Sequence, residues 1–163
     1  MSCIATLYTL PSSLDTAFRE AKANEKREMT TKFLFATKRK TVGEKYLWEF
    51  LDEVCEKKDE LNYSGFFVVD YMTYLELDED HFFQPVDDYF MKLSHEGAKE
   101  LAAFLEAHPP DKTRLEEFWK NENDDAVSDL EEVIDTFVDV HNTIHKWASE
   151  INVSKFGVLF LSF

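Results

Sequence analysis

SDLEEVIDTFVDVHNTIHKWASEI, residues Ser128 to Ile151, is the stretch on which the fold turns. Leu130, Val133, Ile134, Phe137, Val140, Ile144, Ala148 and Ile151 recur at three- and four-residue steps, the spacing that gathers apolar side chains on one face of an α-helix. Ser128-Asp129-Leu130-Glu131 matches a capping box, in which hydroxyl and carboxylate satisfy the N–H groups left open at a helix start. Glu131, Glu132, Asp135 and Asp139 take the opposite face. Beyond this helix the chain closes with Gly157 to Phe163 (GVLFLSF), a run too apolar to stay in water and read as a strand.

Working back toward the N-terminus, Ser94 caps a helix from His95 to about His108 that turns Leu101, Ala102 and Leu105 inward and stops at Pro109-Pro110. A shorter helix spans Thr113 to Lys120. Leu75 to Met91 mixes acids with aromatics and reads as a loop with short helical pieces. Within it, His81-Phe82-Phe83-Gln84-Pro85 reads as a core anchor in preference to an exposed recognition tip. Asn62 to Gly65 breaks the chain, and the nearly continuous apolar Phe66 to Tyr71 (FFVVDY) reads as a central strand. Leu47, Phe50, Leu51, Val54 and Cys55 form an amphipathic helix after Gly43, with Cys55 in the core. Lys32 to Thr37 (KFLFAT) suggests another strand, followed by a solvated basic turn at Lys38, Arg39 and Lys40. Ser12 or Ser13 caps a helix through about Met29, and Cys3 to Thr9 is a strand ending at Pro11. These elements predict one α+β domain over residues 1–163. Its small mixed sheet has Cys3 to Thr9 and Gly157 to Phe163 as neighbours and is covered by about five helices.

Composition narrows the class of protein. Hydrophobic residues make up 44% of the 163, with fifteen Phe, six Tyr and three Trp, so the acid coats a folded body and is not a disordered tail. The net charge of −15 is unevenly spread. Met1 to Lys45 carry nine Lys and Arg against five Asp and Glu, whereas Tyr46 to Phe163 carry nine against twenty-eight. Such a surface repels nucleic-acid backbones and anionic membranes and attracts cationic partners. Cys3 and Cys55 are too few for a disulfide framework and form no C-x-x-C or Cys/His ligand pattern, which points to a reducing cytoplasm. No basic residue precedes the apolar Cys3 to Leu10, which argues against a signal peptide. The longest purely apolar run, Gly157 to Leu161, is far short of the roughly 20 residues that span a bilayer.

Few motifs carry chemistry. Gly43, Gly65, Gly97 and Gly157 are isolated, so no loop gathers backbone N–H groups on a phosphate, and no G-x-S-x-G elbow is present. Asn121 to Glu132 places oxygen-bearing side chains at Asn121, Asn123, Asp125, Asp129 and Glu132, as in a calcium loop. Ala126 stands where that loop needs a turn glycine, so a polar connection is the better reading. His141 and His145 (HNTIH) have the spacing of two ligands to one metal, but Asn142 replaces the general-base Glu of a zinc protease. His141 falls within the apolar stripe, which favours a hydrogen-bonded, partly buried imidazole. No metal or cofactor is expected. Asp124, Asp125, Asp129, Glu132, Asp135 and Asp139 project from one helix and its entry loop, either as a solvated face or as a docking surface.

In its whole layout the chain resembles the YfbM-like family of small uncharacterised bacterial proteins. The matching features are the opening strand at Cys3 to Thr9, the Trp-containing helix Lys45-Tyr46-Leu47-Trp48-Glu49-Phe50-Leu51, and Tyr89 followed by Leu93-Ser94-His95-Glu96-Gly97-Ala98. An acidic stretch, a long helix with Trp147-Ala148-Ser149-Glu150 and the strand Val158-Leu159-Phe160 complete the likeness. Between Asn62 and Asp88 the chain departs from the family, placing an apolar run where a Gly-rich loop is usual. The resemblance implies an α+β fold and a bacterial cytoplasmic setting, and no catalytic residues.

The expected function is a non-catalytic, acidic protein-interaction module, immunity-like or regulatory, whose acids meet a basic protein partner and not nucleic acid or membrane. A metal-dependent hydrolase using His141, His145 and nearby carboxylates is the alternative. A nucleic-acid mimic, with spaced carboxylates imitating phosphates, is the third reading.

Overall fold

Strands β1 (Ile4–Pro11) and β5 (Lys155–Ser162) lie side by side, antiparallel, with Ile4 opposite Ser162 and Pro11 opposite Lys155. The computed structural model describes residues 4–23, 46–77, 81–122 and 129–162. β2 (Lys57–Ser64) flanks β1, β4 (Phe90–Leu93) flanks β5, and β3 (Gln84–Pro85) closes the far edge, giving the order β2-β1-β5-β4-β3. The α+β class and the neighbouring terminal strands are those the sequence predicts. The sheet is antiparallel in all four pairings, where a mixed one was expected. Residues 86–89, which join β3 to β4, are too few for the crossover of a dozen or more residues that a parallel pair requires.

Side-chain alternation sends the two faces of this sheet into two apolar clusters. Ala5, Leu7, Met91, Leu93, Leu159 and Leu161 meet α3 (Gly65–Tyr74), α4 (His95–Ala107), α5 (Lys112–Glu122) and α6 (Leu130–Glu150). Tyr8, Leu10, Phe90, Phe156 and Val158 meet Phe18 of α1 (residues 15–23) and Leu47 and Leu51 of α2 (Leu47–Val54). With helices on both faces, β1 and β5 need apolar residues at nearly every position, which is why both were readable as strands. The edges are protected differently. β2 opens with Lys57-Lys58-Asp59-Glu60, and β3 is two residues long and ends in Pro85, devices that discourage pairing with another chain.

The long helix keeps the stripe read from its sequence. Ile134, Phe137, Val140, His141, Ile144, Trp147 and Ala148 are buried, and the Trp147 indole donates to the Tyr8 carbonyl at 3.2 Å, tying α6 to the central strand. Its N-cap is Asp129, whose carboxylate accepts from the Glu132 N–H at 3.4 Å; the expected cap Ser128 lies outside the described residues. Ser94 caps α4 as predicted, its hydroxyl accepting from the Gly97 N–H at 3.1 Å.

Phe66 to Tyr71 is not a strand but part of α3. A short apolar run satisfies both periods, and here the helical one wins because Val68, Tyr71, Met72 and Leu75 fall on one side while Val69 and Thr73 are exposed. The strand instead occupies Lys57–Ser64, directly before α3, with no break between them at residues 62–65. As an edge strand it buries Leu61 and leaves its lysines and acids half in water, so its sequence carries little strand signature. Within Leu75 to Met91, Phe83 stacks on Trp147 with centroids 6.4 Å apart and Phe82 leans on Phe104 at 5.6 Å. These contacts anchor the loop in the core, and β3 and the start of β4 stand where short helical pieces were expected. Cys55 is the half-buried residue that ends α2, packed against the Tyr8 cluster. The expected strand at Lys32 to Thr37 and the basic turn at Lys38 to Lys40 lie outside the described residues. Among the described residues no helix is long and apolar enough to cross a membrane.

Candidate functional site

Helix α6 buries one face against the sheet and turns Glu131, Glu132, Asp135 and Asp139 to solvent. With the cap Asp129 they form a run of carboxylates along its N-terminal half, where the helix dipole favours negative charge. Among the described residues no cation stands within ion-pair distance of Asp129, Glu131, Glu132 or Asp135. The acids at the β2 edge are different: Asp52 and Glu60 pair with Lys58 at 2.9 and 3.1 Å, and Asp59 and Glu150 pair with Lys57 at 3.4 and 2.6 Å. Asp124 and Asp125 lie outside the described residues, as do all of residues 123–128 of the Asn121 to Glu132 connection.

The two histidines of α6 turn to different partners. His141 is buried and its Nδ1 is hydrogen-bonded to the Tyr71 hydroxyl of α3, with the two rings edge to face at 5.7 Å. Burial pushes the Tyr71 hydroxyl well above its ordinary range, so it keeps its proton and donates. Burial, and then the charge of His145, hold His141 below the usual histidine range, so the neutral imidazole accepts. His145 faces out instead, its Nε2 at 3.2 Å from Glu106 Oε1. Among the described residues no three His, Cys, Asp or Glu side chains stand close enough to share a metal ion. The Cys55 thiol is pushed up by burial and then by Asp52, the opposite of what activates a nucleophile.

Two hollows differ sharply in character. The first, bounded by Leu7, Tyr71, Met72, Phe83 and Trp147, is an apolar gap of about 10 Å³, the space of a single water. The second is an open cleft of about 570 Å³ between the C-terminal ends of α3 and α4 and the start of α5. Its wall includes Tyr74, Glu76, Leu77, His81, Phe104, His108, Pro109, Asp111 and Arg114. Comparison with protein-family models, curated proteins and solved structures finds no match for this chain.

The acidic face was visible in the sequence because helical spacing gathers those residues without help from other elements. Tyr71 and the cleft were not. Tyr71 stands 70 residues before His141, and the cleft exists only because three helix ends meet. Glu76 bears no sequence mark at all, although it has a positive φ of 57°.

Proposed function

We propose that this protein is a non-catalytic interaction module that binds a basic protein partner through the outer face of α6. The observation that carries the reading is the contrast between the carboxylates of Asp129, Glu131, Glu132 and Asp135, without cationic partners among the described residues, and the paired acids of the β2 edge. A rigid helix bearing uncompensated charge steers a cationic surface toward it and sets the register of docking. Asp124 and Asp125 extend the same run by sequence, and Asp139 continues it one turn on. The cysteine content agrees with a cytoplasmic setting.

Proteins retained on the immobilised chain are identified, and the affinity of the tightest purified one is measured across ionic strength. Glu131→Gln, Glu132→Gln, Asp135→Asn and Asp139→Asn together are expected to weaken it about tenfold or more and to flatten its salt dependence. Affinity that ignores both salt and the substitutions refutes the proposal. A partner displaced competitively by duplex DNA moves the reading to nucleic-acid mimicry.

A further inference from the structure

We propose that the cleft between the ends of α3, α4 and α5 is a binding pocket for a guanidinium group, the side chain of an arginine on the basic partner; the partner's identity as a protein rests on the preceding proposal. The cleft's volume of about 570 Å³ lies within the range of small-ligand sites, whereas the internal gap takes no more than a water. Its wall carries the carboxylates of Glu76 and Asp111 together with the donor groups of Tyr74, His81, His108 and Arg114. α3 and α4 present their C-terminal, electronegative ends here and α5 its N-terminal end, which Asp111 occupies; the His108 N–H and Nδ1 close on the Phe104 carbonyl at 3.0 and 2.8 Å, and Pro109 and Pro110 bring no N–H to the carbonyls that follow.

Two carboxylates reinforce that field. Glu76 and Asp111 both line the cleft, and neither has an ion-pair partner among the described residues although Arg114 lines it too. Asp111 uses one oxygen to accept from the Thr113 and Arg114 N–H groups, at 3.1 and 3.3 Å, which fixes its position at the start of α5. Arg114 sends its guanidinium over the Tyr74 ring, 5.5 Å from the centroid, in place of pairing with either acid. Across the cleft the His108 imidazole stacks on Phe104 with centroids 4.2 Å apart and planes 22° from parallel. Planar, delocalised groups thus already lie on aromatic faces at this wall. That is the chemistry which distinguishes arginine from the strongly hydrated point charge of lysine. Glu76 is also held in the left-handed region, at a position where glycine is the usual residue.

The test needs no partner protein. The isotope-labelled chain is titrated with N-acetyl-arginine amide and, separately, with its neutral isostere N-acetyl-citrulline amide, while the backbone signals of Leu75, Leu77, Ala107 and His108 are followed. Saturable shifts with the arginine probe are expected, about tenfold weaker with citrulline and about tenfold weaker again in Glu76→Gln. Glu131→Gln with Glu132→Gln and Asp135→Asn should leave the titration unchanged, which separates this pocket from the α6 face. Equal binding of citrulline, or no saturable shift at these residues, overturns the proposal even where the α6 face binds its partner.

Discussion

Trp147 packs directly against the bare backbone of Gly157: a Cβ built on this glycine would come within 2.5 Å of Trp147 Cζ2 and 2.7 Å of Ile151 Cδ1. Gly157 belongs to β5 and pairs with Thr9, so this approach seats α6 on the centre of the sheet. Gly157→Ala is therefore expected to push the helix outward at a cost of about 1 to 3 kcal/mol, read as a lower denaturation midpoint with an unchanged far-ultraviolet spectrum. A midpoint equal to that of the parent chain would show that the indole has room to yield.

The Tyr71–His141 hydrogen bond joins α3 to α6 inside the apolar cluster. Tyr71→Phe strands a buried imidazole nitrogen and should cost about 1 to 3 kcal/mol, and His141→Phe should cost a similar amount. Removing both together should cost less than the sum, with a coupling of about 0.5 to 3 kcal/mol from a double-mutant cycle of urea denaturation. Strict additivity would mean that the pair contributes by packing alone.

The same histidine sets a pH dependence. Its folded-state pKa lies below the ordinary value of 6.5, first through burial and then through His145, so below that pH the unfolded chain binds a proton that the folded chain resists. Its stabilising contribution is complete above about pH 6.5, declines as pH falls toward the folded value and levels off beneath it. Urea midpoints between about pH 7.5 and about pH 5.5 should fall in the parent chain and fall less in His141→Phe. An identical fall in both would assign the effect to another group.

Glu76 ends α3 in a Schellman arrangement: Leu77 N–H donates to the Met72 carbonyl and Glu76 N–H to the Thr73 carbonyl, each at 3.0 Å, with Glu76 itself at φ 57°. A side chain there strains the backbone, whereas glycine adopts the conformation freely at the expense of a more mobile unfolded chain. Glu76→Gly should gain a net of about 0.5 to 1 kcal/mol, seen as a rise in Tm. A fall in Tm would show that the carboxylate holds the α3 terminus by contacts of its own.

The sequence by itself determined the elements whose periodicity is unambiguous and whose ends carry their own chemistry. α6 declares itself by an apolar stripe opposite an acidic one, α4 by Ser94 at one end and Pro109-Pro110 at the other, and β1 and β5 by apolar residues on both sides of a covered sheet. The acidic face was legible for the same reason, since helical spacing alone gathers it. Tertiary structure decided the rest. Phe66 to Tyr71 satisfies helix and strand alike, and it became helix because the place beside β1 went to the polar strand Lys57–Ser64. An edge strand can be that polar because only one of its sides meets a neighbouring strand and much of it stays in water. The partnership of Tyr71 with His141, the bare contact of Gly157 with Trp147 and the cleft walled by Glu76, Asp111 and Arg114 each join residues far apart in the chain. No local pattern encodes such meetings, because they come into being only when helices from separate stretches pack on the same sheet.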